Sequence, residues 1–225
     1  VAIGSSAGQG SQGISSIALG SNAGAVSQGI NAVSIGNYCA NTNQGDYGIA
    51  IGHTSGQTSQ GSGAVAVGSQ TGTTTQGMNG VAVGNVAGYS AQGNSAIAMG
   101  VSSGQNSQGA YSVAVGRAAG QLTQGTTAVA VGNFAGNGSQ GINATAVGAS
   151  AGQTGQGQQS VAIGFAAGVT NQAAQGIIVN SSGVTVNNAT NGHIVLKSST
   201  GELTWNGSTA WGHSGSMATI SDIRR

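Results

Sequence analysis

The tetrapeptide Val1-Ala2-Ile3-Gly4 returns, with conservative exchanges, every sixteen residues without an insertion or deletion. The later copies begin at Ile17, Val33, Ile49, Val65, Val81, Ile97, Val113, Val129, Thr145 and Val161. A fixed period predicts stacked turns rather than a globule, since each turn can pair its backbone only with the turns before and after it. We therefore expect a rod whose length grows with the number of repeats.

The consensus turn is Gln-Gly-x-x-Ala-Val-Ala-Val-Gly-x-x-Ala-Gly-x-x-x, in which glycine and glutamine are as regular as the aliphatic residues. The glycine after the aliphatic run is present in all eleven copies, the second glycine is replaced only by Ala40, and the glycine after glutamine only by Ala173. Three glycines per turn suit sharp bends or positive φ angles. The pattern predicts an all-β fold: a parallel β-roll, or β-solenoid, of sixteen-residue turns.

The Val-Ala-Val run predicts a short strand with branched residues on one face and alanine on the other, both of them covered. The glutamines are expected to stack as a ladder in which each side-chain amide bonds to the next. A single coil has a thin core, so we expect lateral association into a closed cyclic oligomer, with the alanine faces allowing the close approach of neighbouring chains.

Charge is nearly absent from the repeats. Seven of 225 residues are charged, and between Val1 and Gly176 only Asp46 and Arg117 are. With a net charge of +1 there is no basic stripe for phosphates, so we expect no nucleic-acid partner. No apolar run approaches about eighteen residues, so no membrane insertion is expected.

The search for catalytic and metal-binding residues in the repeats gives no candidate. His53, His193 and His213 have no cysteine or carboxylate at ligand spacing, so neither a metal nor a cofactor is expected. Asp46 has no partner carboxylate before residue 176, which disfavours a glycan-cleaving enzyme. Cys39, the single cysteine, replaces an alanine of the repeat and is predicted to be a small core residue.

Large aromatic residues occur at positions that are small or polar in other turns, which predicts that they project from loops or corners. They can stack on sugar rings, anchor a protein contact or pack between subunits, and the sequence does not choose among these roles. The aromatic residues in question are Tyr38, Tyr89, Tyr111, Phe134 and Phe165.

The repeat pattern predicts three segments. Residues 1–170 form the β-roll, residues 171–210 a β-rich stem, and residues 211–225 the start of a further domain. In the stem we expect short strands over 176–187, 193–197 and 202–205, a surface pair between Lys197 and Glu202, and large apolar groups from Trp205 and Trp211.

The end of the chain, Ser221-Asp222-Ile223-Arg224-Arg225, resembles the opening of the self-cleaving intramolecular chaperone domain of phage tailspikes and tail fibres, including the endosialidases. The resemblance implies a trimeric chaperone that cuts the bond between Ser221 and Asp222, with Ser221 as nucleophile and Asp222 and Arg224 as motif residues. The family's partner lysine follows the position of Arg225. The chain as it stands is therefore expected to be uncut, because no base activates the serine hydroxyl.

The Ala-Val-Ala-Ile-Gly-x-x-Ala units of residues 1–170 are similar to the YadA-like head of trimeric autotransporter adhesins. That resemblance implies a left-handed parallel β-roll and three chains around one axis. The sixteen-residue turn is longer than that family's usual unit and adds the Gln-Gly pair.

Both resemblances imply a homotrimeric fibre. We expect a structural, non-enzymatic segment of a viral tail fibre, located in the virion, that attaches to a glycan or protein receptor on the host surface. The alternative is an adhesin head on a bacterial surface. An ice-binding solenoid is disfavoured, because it needs regularly exposed threonine, and the clusters at Thr73, Thr74 and Thr75 and at Thr126 and Thr127 do not recur.

Overall fold

A computed structural model describes residues 1–187 and 190–199. Every regular element in these residues is a short β-strand, and the strands pair in parallel. Partners are one turn apart, as where Val113 aligns with Val129 and Ala114 with Ala130. The structure confirms an all-β solenoid of sixteen-residue turns, because equivalent positions of successive repeats stack directly on one another.

One sheet of thirteen strands, which we call the long sheet, contains the aliphatic run of every turn. Its strands are β1 (Ala2–Ile3), β2 (Ile17–Leu19), β4 (Val33–Ile35), β6 (Ile49–Ile51), β8 (Val65–Val67), β9 (Val81–Val83), β11 (Ile97–Met99), β13 (Val113–Val115), β15 (Val129–Val131), β17 (Thr145–Val147), β18 (Val161–Ile163), β19 (Ile177–Asn180) and β20 (Ile194–Lys197).

The opposite wall of the coil consists of two short sheets, each strand of which ends at the glutamine of the repeat. The first contains β3 (Val26–Gln28), β5 (Thr42–Gln44) and β7 (Thr58–Gln60), and the second contains β10 (Ser90–Gln92), β12 (Asn106–Gln108), β14 (Thr123–Gln124) and β16 (Ser139–Gln140). Single bridges from Gln76 to Gln60 and to Gln92 join the two sheets. Each turn therefore crosses from one wall to the other and back.

The interior of the coil is lined by alanine, and the branched residues of the long sheet point outwards. Ala66, Ala82 and Ala114 are fully buried, whereas Val65 and Val67 on either side of Ala66 keep part of their surface in solvent. The prediction that alanine faces bring neighbouring chains together is thus wrong. Within the repeats the walls lie so close that a Cβ added at Gly56 would come within 3.1 Å of the Ala50 Cβ atom, so a small residue takes the inner position. In β19, after the last repeat, Ile178 takes this position and is fully buried.

Glutamine side chains fill the rest of the interior and join the two walls. In all eleven copies Nε2 donates to the carbonyl oxygen of the residue that begins the aliphatic run of the same turn, at 2.7–3.0 Å. The predicted ladder between turns also exists, but in parts: Gln44 to Gln60 to Gln76, and Gln108 through Gln124 and Gln140 to Gln156. Where Ser34 replaces an alanine, its hydroxyl connects Gln28 with Gln44.

The corner after the long sheet requires glycine for two reasons, as Gly84 illustrates. Its φ is +130°, and an added Cβ would lie 2.6 Å from the carbonyl oxygen of Gly100 in the next turn. In the turn that follows Gly164, Asn180 takes the place of this glycine. Its side-chain amide donates to the carbonyl oxygens of Phe165 and Val184. The prediction that these glycines occupy sharp bends is confirmed.

Stacking continues past residue 170. β19 pairs with β18 in the sixteen-residue register, Val161 with Ile177, and β20 follows with one extra residue, Ile177 with Ile194. The strands at 177–180 and 194–197 therefore belong to the long sheet. The described residues do not include the predicted strand at 202–205 with its Glu202 and Trp205, nor Trp211 and the 211–225 segment.

Candidate functional site

The outer side of the long sheet, which we call the aliphatic face, is a continuous surface along the described part of the chain. It consists of Ile3 of β1 and the first and third residues of the later strands, β-branched in most turns, and it runs in register from β1 to β20. The third residues are the more exposed, with Ile51 at 37%, Met99 at 43% and Ile163 at 40% of their surface in solvent. The strands from Ala2 to Asn180 contribute no charged residue to this face.

The outer side of the short sheets has a different chemistry, dominated by hydroxyl and amide groups. Thr42 aligns with Thr58 in one row, and Thr123 aligns with Ser139 in the neighbouring row, one residue later in the repeat. The sequence reasoning looked for threonine clusters along the chain and overlooked this alignment across turns. The row of Thr42 and Thr58 is interrupted by Val26 and Leu122, both about half exposed, so the face is not a uniform threonine array.

The five aromatic residues singled out from the sequence lie at or near corners, as expected, but differ in exposure. Tyr38, Tyr111 and Phe165 are exposed at 43%, 64% and 55%, whereas Tyr89 and Phe134 are half-buried. Phe134 is covered by the Arg117 guanidinium, whose carbon lies 4.7 Å from the ring centroid in a cation–π contact. The five aromatics occupy four different repeat positions and are spread over turns from residue 33 to residue 176, so they do not form one platform.

Tyr47 is an exposed aromatic residue that the sequence reasoning missed. It occupies the same repeat position as Tyr111 and is equally exposed, at 64%. Both stand in a left-handed backbone conformation, with φ of 58°. The signal was present in the sequence, since the two tyrosines are four repeats apart.

A shallow groove of about 450 Å³ lies along the corner between the first short sheet and the following loop. Its walls include Ser27, Asn43, Ser59, Ser62 and Met78, with the backbone of Gly45 and Gly61 between them. Asp46 lies beside it, and its carboxylate accepts the Ile30 N–H of the preceding turn at 2.8 Å. The groove has an uncharged lining and is open to solvent.

The titratable groups of the coil are scattered. Within residues 1–187 and 190–199 no group of three or more His, Cys, Asp or Glu side chains could hold a metal ion. His53 is exposed at a corner, beside the Thr54 hydroxyl. Cys39 is fully buried, as predicted, and burial raises the pKa of its thiol to about 12. Its Sγ donates to the carbonyl oxygen of Ala50 at 3.0 Å.

The residues of the expected self-cleavage site, Ser221, Asp222 and Arg224, lie outside the described residues, as does His213. Over the described part of the chain there is no helix of the length and apolarity needed to cross a membrane.

Comparison with known proteins gives no relative. No family model, no curated protein and no solved structure matches the chain.

Proposed function

We propose that this chain is a structural and host-attachment segment of a homotrimeric viral tail fibre. The observation that carries the proposal is the unbroken parallel stack, in which each of the eleven repeats is joined internally by a glutamine side chain and externally by backbone hydrogen bonds to its neighbours. Such a stack is a stiff spacer, because bending it stretches many hydrogen bonds at once.

The length of the spacer follows from the number of strands. Thirteen strands at a spacing of about 4.8 Å make a rod roughly 58 Å long. A rod of this kind holds receptor-binding groups at a fixed distance from the particle, and exposed Tyr38, Tyr111 and Phe165 are the groups of this chain suited to a sugar ring or a protein surface.

Support for the viral assignment comes from the Ser221-Asp222-Ile223-Arg224 end, which resembles the self-cleaving chaperone of phage fibres. The test is to express the chain with its natural downstream region and to compare it with Ser221→Ala on a denaturing gel. We expect the unsubstituted protein to separate into two fragments and Ser221→Ala to remain whole. Fragments of equal size from both proteins, or a single uncut band from both, would exclude the chaperone.

The alternative, a bacterial adhesin head, is favoured by the Ala-Val-Ala-Ile-Gly repeats alone. Adhesins of that type continue into a coiled-coil stalk and a membrane anchor. A viral fibre with the self-cleaving chaperone has its partner lysine directly after the position of Arg225. The sequence downstream of residue 225 therefore separates the two functions.

Attachment itself is tested on a glycan array, with Tyr38→Ala, Tyr111→Ala and Phe165→Ala as variants that are expected to weaken binding.

A further inference from the structure

We infer that the aliphatic face of the long sheet is the surface through which copies of this chain associate side by side. The inference rests on the homotrimer of the proposed function and names its contact surface. The sequence pattern alone favoured the alanine side of the strands for this role. The structure assigns alanine to the sealed interior of each copy, so the branched face is the apolar surface that remains.

The area of the face is in the range that a stable interface needs. About 58 Å of sheet with a width of about 10 Å gives roughly 600 Å² per copy, against about 800 Å² per partner in a standard interface. Pairing two such faces buries about 1,200 Å² in total, the lower end of the range for stable complexes.

The regular spacing of side chains on the aliphatic face favours a second copy of this chain as its partner. Branched side chains repeat along the rod once per strand spacing, so the surface is a series of ridges and grooves at about 4.8 Å. A partner can interdigitate over the whole length only if its own surface has the same period. A second copy of this chain has that period by construction, whereas a globular protein matches only a few ridges.

The chemistry of the face agrees with an apolar partner. From Ala2 to Asn180 its strands bring no charged side chain to the surface, so close contact between copies desolvates no ionised group. Thr145 is the single hydroxyl at the first position of these strands. A sugar chain or another strongly hydrated ligand finds few hydrogen-bond partners there.

The test compares two substitutions in the same turn, Val131→Lys on the aliphatic face and Ser139→Lys on the opposite wall. Sedimentation of the full chain is expected to give a trimer for the unsubstituted protein and for Ser139→Lys. Val131→Lys is expected to sediment as a monomer of 21.3 kDa with an unchanged circular dichroism spectrum. A Val131→Lys protein of unchanged oligomer size overturns the inference and leaves the trimer intact. A monomeric unsubstituted protein overturns both.

Cross-linking of cysteine variants measures the same contact without placing a charged lysine on the aliphatic face. Val131→Cys and Ser139→Cys are treated with a short bismaleimide cross-linker, in a protein whose own Cys39 is buried. We expect covalent dimers and trimers from Val131→Cys and none from Ser139→Cys at the same concentration. Cross-linking of Ser139→Cys alone places the contact on the short sheets and overturns the inference.

Discussion

The side-chain amide of Gln124 donates to the carbonyl oxygen of Val113 at 2.8 Å, across the full width of the coil. Val113 begins strand β13 on one wall, and Gln124, eleven residues later, ends strand β14 on the opposite wall. The same amide also reaches the Ala128 carbonyl and the Oε1 atom of Gln140, while its own oxygen accepts from Gln108. One buried side chain thus closes its own turn and links it to both neighbours.

Replacing Gln124 by leucine is expected to destabilise the protein more than replacing Gln92 by leucine. Gln92 makes the bonds within its turn, to Val81 and Ala96, but its buried Oε1 has no partner. Gln124→Leu removes two further bonds between turns, each worth about 1 kcal/mol, so its free energy of unfolding should fall by about 2 kcal/mol more.

Chemical denaturation of both variants, followed by circular dichroism, measures the difference. Equal losses would show that bonds between glutamines contribute nothing beyond the bond across the turn. A larger loss for Gln92→Leu contradicts the account.

The period could be read from the sequence because every turn meets the same constraint. Backbone groups of Val113 pair with those of the residues sixteen positions away, so no insertion is tolerated between them. The bond from glutamine to the opposite wall could not be foreseen, because it depends on the width of the coil. A ladder was expected from stacking alone, and stacking does not reveal what lies across the interior.

The direction in which each strand faces was also beyond the sequence. In Val65-Ala66-Val67 both sides are apolar, so an alternation with a period of two predicts two faces without saying which is inside. Within the repeats the interior volume decides which side is inside: alanine opposite Gln76 fills it and valine stays out, whereas Ile178 is enclosed only after the last repeat. The alanine side, which the pattern assigned to contact between chains, consequently lies in the interior of the coil.

Gly84→Ala is expected to be among the most damaging single-methyl changes in the coil. The new Cβ would meet the Gly100 carbonyl oxygen at 2.6 Å in a backbone conformation with φ of +130°. Strain and overpacking together predict a loss of about 3–5 kcal/mol in the free energy of unfolding.

Gly183→Ala serves as its control, since Gly183 also has a positive φ, of +75°, but no atom within 4 Å of the added Cβ. The control should lose only about 1 kcal/mol, the cost of the left-handed conformation. Thermal unfolding distinguishes the two, and a similar melting temperature for both variants would mean that the turns separate to admit the methyl group.

Replacement by glycine is expected to destabilise the protein at Ala87 but to change its stability little at Ala40. Ala40 stands at a repeat position otherwise occupied by glycine and has φ of 42°, whereas Ala87 has no left-handed strain; both are fully buried. Ala87→Gly should cost about 1–2 kcal/mol through lost burial and added chain entropy. In Ala40→Gly the relief of strain offsets that cost, so its free energy of unfolding should stay within about 1 kcal/mol of the unsubstituted protein. Denaturation midpoints measured side by side decide the order, and an equal loss at both positions contradicts it.

Cys39 predicts a specific loss of stability in alkaline solution. Burial, opposed by weaker backbone hydrogen bonding, raises the pKa of the thiol from 9.0 to about 12. Because the folded state favours the protonated thiol, the stabilisation is complete below pH 9 and is lost as the pH rises towards 12. Cys39→Ser is the matched control, since Ser55 at the equivalent position donates to the Ala66 carbonyl at 2.7 Å just as Cys39 donates to Ala50.

The measurement is the denaturation midpoint at pH about 8 and about 10.5 for both proteins, with the unsubstituted chain expected to lose more over this interval than Cys39→Ser. For the same reason a thiol reagent should leave the folded protein unmodified and react on unfolding, since the thiolate is the reactive form. Rapid labelling of the folded protein, or identical pH dependence in the two proteins, would mean that the thiol is in contact with solvent and that the turn around Cys39 opens readily.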